Sequence, residues 1–156
     1  MLTVDVPGRG TLGLEYLVLD YNGTLSLDGR LLPGVAGALA GLSAALRIHV
    51  LTADTFGLAA EGLSGLPVGL TVMPPGNQAA GKLAFVTALG PSAVCAIGNG
   101  LNDAPMLSAA ALGVAVIGPE GAGQKTLMAA DVVCPDISSA LSLLSNPLRL
   151  VATLRD

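Results

Sequence analysis

The sequence predicts a single α/β domain in which a mainly parallel, doubly wound sheet carries helices on both faces. Three observations lead there. Short apolar runs rich in strand formers alternate with helically spaced segments from residue 17 to residue 144. Each early run ends on a polar or glycine-broken stretch, the mark of a loop at the carboxyl edge of a sheet. The core must be built from Leu, Ala and Val, because aromatic residues make up 3% of the chain and Trp is absent.

At 156 residues the chain fits one domain and can bury a substantial core. Residues 1–16 are expected to form a hairpin extension, 17–144 the core, and 145–156 a C-terminal tail or helix. Charged residues are only 12% and the mean hydropathy is +0.71, which raises the question of a membrane. The run over residues 31–46 is uncharged, but Pro33, Gly34, Gly37, Gly41 and Ser43 interrupt it, it falls short of a span, and no other apolar run is longer and cleaner. No basic stretch followed by an apolar one opens the chain, so the expectation is a soluble, cytoplasmic protein with no membrane partner. A net charge of −4, with seven scattered basic residues, argues against a nucleic-acid surface. Two cysteines make no disulfide framework, and Cys95 and Cys134 read as reduced core residues.

Taken in order, residues 3–6 and 12–16 flank a Pro-Gly-Arg-Gly turn and read as a small antiparallel hairpin. Gly8, Gly10 and Gly13 have dinucleotide-motif spacing but precede a strand, whereas that motif needs a helix. Residues 17–19 are a buried strand ending on Asp20, and Asn22-Gly23-Thr24 then turns the backbone. A loop through Asp28-Gly29 reaches Pro33, which suits a helix start, and 35–46 has helical spacing. A strand over 47–52 ends on Thr52. A helix over 55–63 follows, with Asp54 as its cap. Strand 68–72 and a Pro-Pro-Gly loop lead to a helix over 77–89 that carries Lys82, one of two lysines. Strand 93–97 runs into Gly98-Asn99-Gly100-Leu101-Asn102-Asp103. Helix 104–111, strand 113–117, helix 124–130, strand 132–134 and helix 137–144 complete the alternation.

In such a sheet Asp20, Thr52, Lys82 and the 98–103 loop converge on one crevice at the carboxyl ends of the strands. A carboxylate, a hydroxyl, an ammonium and an oxygen-rich loop together suit phosphoryl transfer, with Asp20 as nucleophile and the loop as a Mg²⁺ site.

Those residues resemble a known family. Asp20-Tyr21-Asn22-Gly23-Thr24, Thr52, Lys82 and Gly98-Asn99-Gly100-Leu101-Asn102-Asp103-Ala104-Pro105-Met106-Leu107 are similar, in order and spacing, to the four motifs of the haloacid dehalogenase superfamily. Within it the chain resembles the phosphorylation domain of P-type ATPases, and in particular the soluble P-type ATPase-like phosphatases. The resemblance covers residues 17–144. It implies a Rossmann-like fold, an aspartyl-phosphate on Asp20, and Mg²⁺ held by Asp20, the backbone carbonyl of Asn22 and the side chain of Asn99. It also implies that Gly23, Thr24, Thr52 and Lys82 hold the phosphoryl group, with Asp103 and Asn102 supporting the metal and Lys82.

Two positions depart from the family's pattern. Asn22 stands where phosphatases of the superfamily usually carry a general acid/base Asp, and Asn99 where they carry a metal-ligating Asp. An amide cannot carry a proton as a carboxylic acid does, and that help is worth roughly 10²–10⁴ in rate. The second change removes a negative charge from the cation. The expected function is therefore a slow or leaving-group-selective Mg²⁺-dependent phosphatase acting on a small phosphorylated substrate. The alternative is a phosphate-binding or phosphorylatable regulatory domain with little turnover.

A receiver domain would need an acidic pair near the first strand end, which is missing. His49 reads as a core or edge histidine, and residues 118–126 approach a P-loop but break its spacing at Gln124. The intervals between Thr24, Thr52 and Lys82 leave no room for a cap domain. An open site and few charges predict a homo-oligomer, dimer or tetramer.

Overall fold

The computed structural model describes residues 1–54 and 56–156. Its centre is a six-stranded parallel sheet. The first hairpin is β1 (Leu2–Val6) with β2 (Gly10–Leu14), paired antiparallel. β3 (Tyr16–Asp20) is the central strand, followed by a small hairpin of β4 (Ser26–Leu27) and β5 (Arg30–Leu31). Then come α1 (Val35–Leu42), β6 (Arg47–Thr52), α2 (Leu58–Gly62), β7 (Val68–Val72) and α3 (Gln78–Leu89). β8 (Val94–Gly98) leads through a 3₁₀ turn at Leu101–Asp103 into α4 (Ala104–Ala109). β9 (Leu112–Val116), α5 (Gln124–Ala129), β10 (Val132–Cys134), α6 (Ile137–Ser145) and α7 (Pro147–Leu154) close the chain. The strands lie in the order β10-β9-β8-β3-β6-β7, so β3 is flanked by β8 and β6.

Side-chain alternation along β3 explains the two-sided core. Leu17 and Leu19 point into one apolar layer with Ile48, Val50, Leu39, Leu141 and Leu144. Val18 points into the other, with Leu51, Ala96, Val86, Met106 and Leu107. A strand buried on both faces reads as a continuous apolar run, and Leu17-Val18-Leu19 is one.

Several boundaries differ from the sequence reading. The helix expected over 35–46 ends at Leu42, with a turn carrying Leu46 N–H to Leu42 O at 2.9 Å. Gly37 and Gly41 weaken the helix, and Leu46, buried in the core, is needed at the entry to β6. Tyr16, expected in the hairpin, belongs to the central strand, where it pairs with Arg47 and Val94. The start of the helix expected at Thr55 lies outside the described residues; α2 begins at Leu58, and Asp54 does cap it, accepting from Leu58 N and Ala59 N at 3.1 Å each. The β4–β5 hairpin stands where a loop is expected. Asp28 turns it at φ 51 next to Gly29 at φ 77, the backbone of a tight hairpin turn. Among the described residues this hairpin is the one element between β3 and α1, so no cap domain is inserted there.

The N-terminal hairpin is tied to the sheet by Arg9, whose guanidinium meets Asp131 at 2.7 Å and Ala111 O at 3.1 Å. No helix follows Gly8, Gly10 and Gly13, consistent with a turn rather than a nucleotide loop. Cys95 and Cys134 are free and buried, and burial pushes both thiols up from their ordinary values. Among the described residues no single helix is long and apolar enough to cross a membrane.

Candidate active site

Asp20 ends β3, the strand at the middle of the sheet, and is largely buried. Beyond it the chain folds back on itself: the amides of Thr24, Leu25 and Ser26 all donate to Tyr21 O, at 3.3, 2.9 and 3.1 Å. This coil returns the Thr24 hydroxyl to Asp20, with Oγ1 3.1 Å from Oδ2. Gly23 makes the turn possible at φ 76, and it has no space for a side chain, because a β-carbon there would meet Glu120 and Asn99.

Lys82 arrives from α3, which is started by Asn77 accepting from Ala80 N at 3.1 Å. It is the most deeply enclosed cation of the chain, 1% exposed. Its Nζ donates to Asp20 Oδ1 at 2.7 Å and to Asp103 Oδ1 at 2.6 Å. Asp103 is fully buried. Its second oxygen accepts from the amides of Asn99 (3.1 Å) and Gly100 (2.9 Å), so both its oxygens are engaged. Gly98 allows that approach, since a β-carbon there would stand 2.5 Å from Asp103 Cγ.

The electrostatics follow from two buried carboxylates sharing one ammonium. Burial, and then the charge of Asp103, push the Asp20 carboxyl up to about 7, while Lys82 and the Thr24 hydroxyl hold it back. Burial alone would pull the Lys82 ammonium down, but Asp20 and Asp103 outweigh it and raise it above its ordinary value.

Asn22 faces the other way, with Nδ2 3.4 Å from Thr52 Oγ1. Thr52, at the end of β6, also accepts from Asp54 N at 3.2 Å. With both these bonds accepted, its own hydroxyl proton is left to donate. Asn99 Oδ1 lies 3.2 Å from Thr24 Oγ1, and its Nδ2 donates to Gly121 O at 3.0 Å.

The structure thus brings Asp20, Thr24, Lys82, Asn99 and Asp103 into one network and sets Asn22 and Thr52 beside it. Asn102 does not join them: it donates to Gln78 Oε1 at 3.1 Å and pins α3 to the 98–103 loop. A cavity of about 570 Å³ opens at that junction, lined by Gly76, Asn77, Gln78, Gly100, Leu101 and Asn102. His49 packs against Phe85, with ring centres 5.3 Å apart, and burial and then Arg47 lower its basicity, as suits a core histidine. Thr126 donates to Gly100 O at 2.6 Å, so the P-loop-like stretch ends in a strut rather than an anion cradle.

One residue escaped the sequence reading: Glu120, in the loop after β9, reaches Gly23 and Asn99. The rule that singles out Asp20 and Asn99, position at the carboxyl edge of the sheet, applies to it equally.

A carboxylate, a backbone carbonyl and an amide oxygen are all hard donors of the kind Mg²⁺ takes, and Mg²⁺ typically keeps several waters with one or two carboxylates. Among the described residues no three His, Cys, Asp or Glu side chains cluster as a metal site, so the donors on offer are this sparse oxygen set, whose chemistry fits the cation.

The model of haloacid dehalogenase-like hydrolases matches residues 69–139. An uncharacterized protein of Methanocaldococcus jannaschii is 54% identical over 63 residues, covering 40% of this chain and 68% of that protein. Among solved structures, the 3-deoxy-D-manno-octulosonate 8-phosphate phosphatase of Moraxella catarrhalis, in complex with magnesium, phosphate and its sugar acid, superposes with a TM-score of 0.70. It is 15% identical and covers 91% of this chain and 94% of its own, a likeness of fold. A zinc-transporting PIB-type ATPase in its E2.Pi state matches with a TM-score of 0.62 and 28% identity over 79% of this chain, which spans only 20% of the transporter.

Proposed function

Because this chain belongs to the haloacid dehalogenase-like hydrolase superfamily, we propose that it is a Mg²⁺-dependent phosphatase that works through an aspartyl-phosphate on Asp20. The observation that carries the reading is the Asp20–Lys82–Asp103 network with Thr24 beside it, at the carboxyl end of the central strand. The last motif and the likeness to the transporter's chain support a place among P-type ATPase-like phosphatases.

In this reading an Asp20 oxygen attacks phosphorus, and the bond to the leaving oxygen breaks with its electron pair going to that oxygen. Water then attacks the aspartyl-phosphate, releasing phosphate and restoring the carboxylate. Lys82 keeps a positive charge beside the nucleophile and balances the phosphoryl oxygens, while Asp103 fixes its ammonium in place. Thr24 and Thr52 donate hydroxyl protons to the phosphoryl group, and Asn22 orients Thr52. Asp20, the Asn22 carbonyl and Asn99 Oδ1 would hold Mg²⁺, which supplies charge neutralisation at the phosphoryl oxygens.

Asn22 has no proton to give, so the departing oxygen must be stable as an anion or take its proton from water. Aryl and acyl phosphates therefore suit the site better than alkyl esters. The neutral, amide-lined cavity beside Gln78 and Asn102 offers room for the non-phosphate part of a small substrate. A cytoplasmic setting fits two free thiols in a chain of this kind.

A phosphate-binding regulatory domain with little turnover is the second reading, favoured by Asn22 and Asn99. Phosphate release from a panel of aryl, acyl and alkyl phosphates, with Mg²⁺ and with EDTA, separates the two. Mg²⁺-dependent release from the first two classes is expected; release from none leaves the regulatory reading.

A further inference from the structure

We infer that Glu120 belongs to the cation site and supplies, from the loop after β9, the carboxylate charge that Asn99 lacks. This rests on the phosphatase reading above, since the cation is the one that reading requires.

Glu120 is an exposed loop residue, yet its carboxylate comes up against Gly23 in the active-site turn. Its Oε2 stands 2.5 Å from the point where a β-carbon on Gly23 would be, and Asn99 Nδ2 stands 2.6 Å from the same point. Gly23 follows Asn22, whose carbonyl is one expected ligand, and Asn99 carries another. The carboxylate thus lies against the turn that follows Asn22 and beside the side-chain nitrogen of Asn99, the two residues expected to offer the cation one oxygen each.

Asn99 itself builds this arrangement. Its Nδ2 donates to Gly121 O at 3.0 Å, and its backbone oxygen accepts from Gly123 N at 2.8 Å. Gly121 N in turn closes a turn onto Gly118 O at 3.3 Å, with Glu120 inside it. An aspartate at position 99 could not donate the bond to Gly121 O, because an ionised carboxylate only accepts. So the amide that removes a charge from the site also holds the loop that brings one back.

The other carboxylates cannot take this part. Asp103 has one oxygen on Lys82 and the other on two backbone amides. Without Glu120, Asp20 would be the single carboxylate at a divalent ion. Nor is Glu120 a substitute proton carrier for position 22, because the Asn22 side chain is turned towards Thr52 on β6, away from the Asn99 side.

The test is a Mn²⁺ titration of the full chain followed by electron paramagnetic resonance, with Mg²⁺ as competitor. Glu120→Gln should weaken the cation roughly tenfold or more, without changing the melting temperature of the metal-free protein. Asn99→Asp in the Glu120→Gln background should recover affinity. Wild-type affinity in Glu120→Gln overturns the inference while leaving the phosphatase reading intact, provided Asp20→Asn weakens Mn²⁺. If Asp20→Asn also binds as wild type, the cation is not at Asp20 and both fall.

Discussion

The Lys82 ammonium donates to the Asp20 carboxylate across 2.7 Å, joining residues 62 positions apart in sequence at the mouth of the sheet. A third group shares the contact: Asp103 lies on the same nitrogen at 2.6 Å. Two carboxylates and one ammonium leave a surplus negative charge in a buried place, and that surplus governs both stability and chemistry.

Replacing the ammonium exposes the repulsion. Lys82→Met leaves Asp20 and Asp103 facing each other unpaired, and breaking a buried ion pair from one side costs about 3–5 kcal/mol. Urea unfolding should show that loss, and adding Asp103→Asn should recover part of it. A Lys82→Met protein as stable as wild type would mean that the two carboxylates do not depend on this ammonium.

The surplus charge also predicts a pH dependence in the metal-free protein. Asp20 titrates near 7 when folded, above its ordinary 3.8, because burial and Asp103 disfavour the anion. Its contribution to stability is therefore complete below pH 4 and is lost as the pH rises through 7. Asp20→Asn holds the neutral form at every pH. In EDTA it should melt above wild type at pH 8, and the gap should close towards pH 4. A gap that does not vary with pH would assign it to packing instead.

Position 22 tests the leaving-group argument. Asn22→Asp restores a proton carrier next to Thr52 and should speed alkyl-ester hydrolysis by up to roughly 10²-fold, with a smaller effect on acyl phosphates. If it slows all substrates alike, the amide acts by orienting Thr52, and the regulatory reading gains.

Phe56, Met128 and Leu148 are large apolar side chains each more than 80% exposed, in a chain with little charge to keep copies apart. We expect a dimer or tetramer in light scattering at tens of micromolar. A monomer at every salt concentration would count against it.

The sheet and most of the site were legible because each depends on local pattern. Leu17-Val18-Leu19 is apolar on both faces, Asp20 and Thr52 end such runs, and the 98–107 motif is long enough to be specific. The β4–β5 hairpin was not legible. Its strands are two residues each and carry no period, and the Tyr21 hydroxyl supports it from the core by donating to Gly29 O at 3.0 Å. Glu120 was missed for a related reason: a loop carboxylate declares nothing by spacing. Its reach depends on the loop after β9 being bound by Asn99, a contact between positions 22 residues apart. Asn102, matched by motif alone, shows the converse, since its side chain is taken by Gln78.

The central claim is that phosphate passes through Asp20, and trapping the phosphorylated protein tests it most directly. After incubation with an acyl phosphate and Mg²⁺, then acid quench, the wild type should carry an acid-stable, hydroxylamine-labile phosphoryl group on Asp20. Asp20→Asn should carry none and release no phosphate, because the amide is a poor nucleophile. Phosphate release by Asp20→Asn at the wild-type rate would contradict the account.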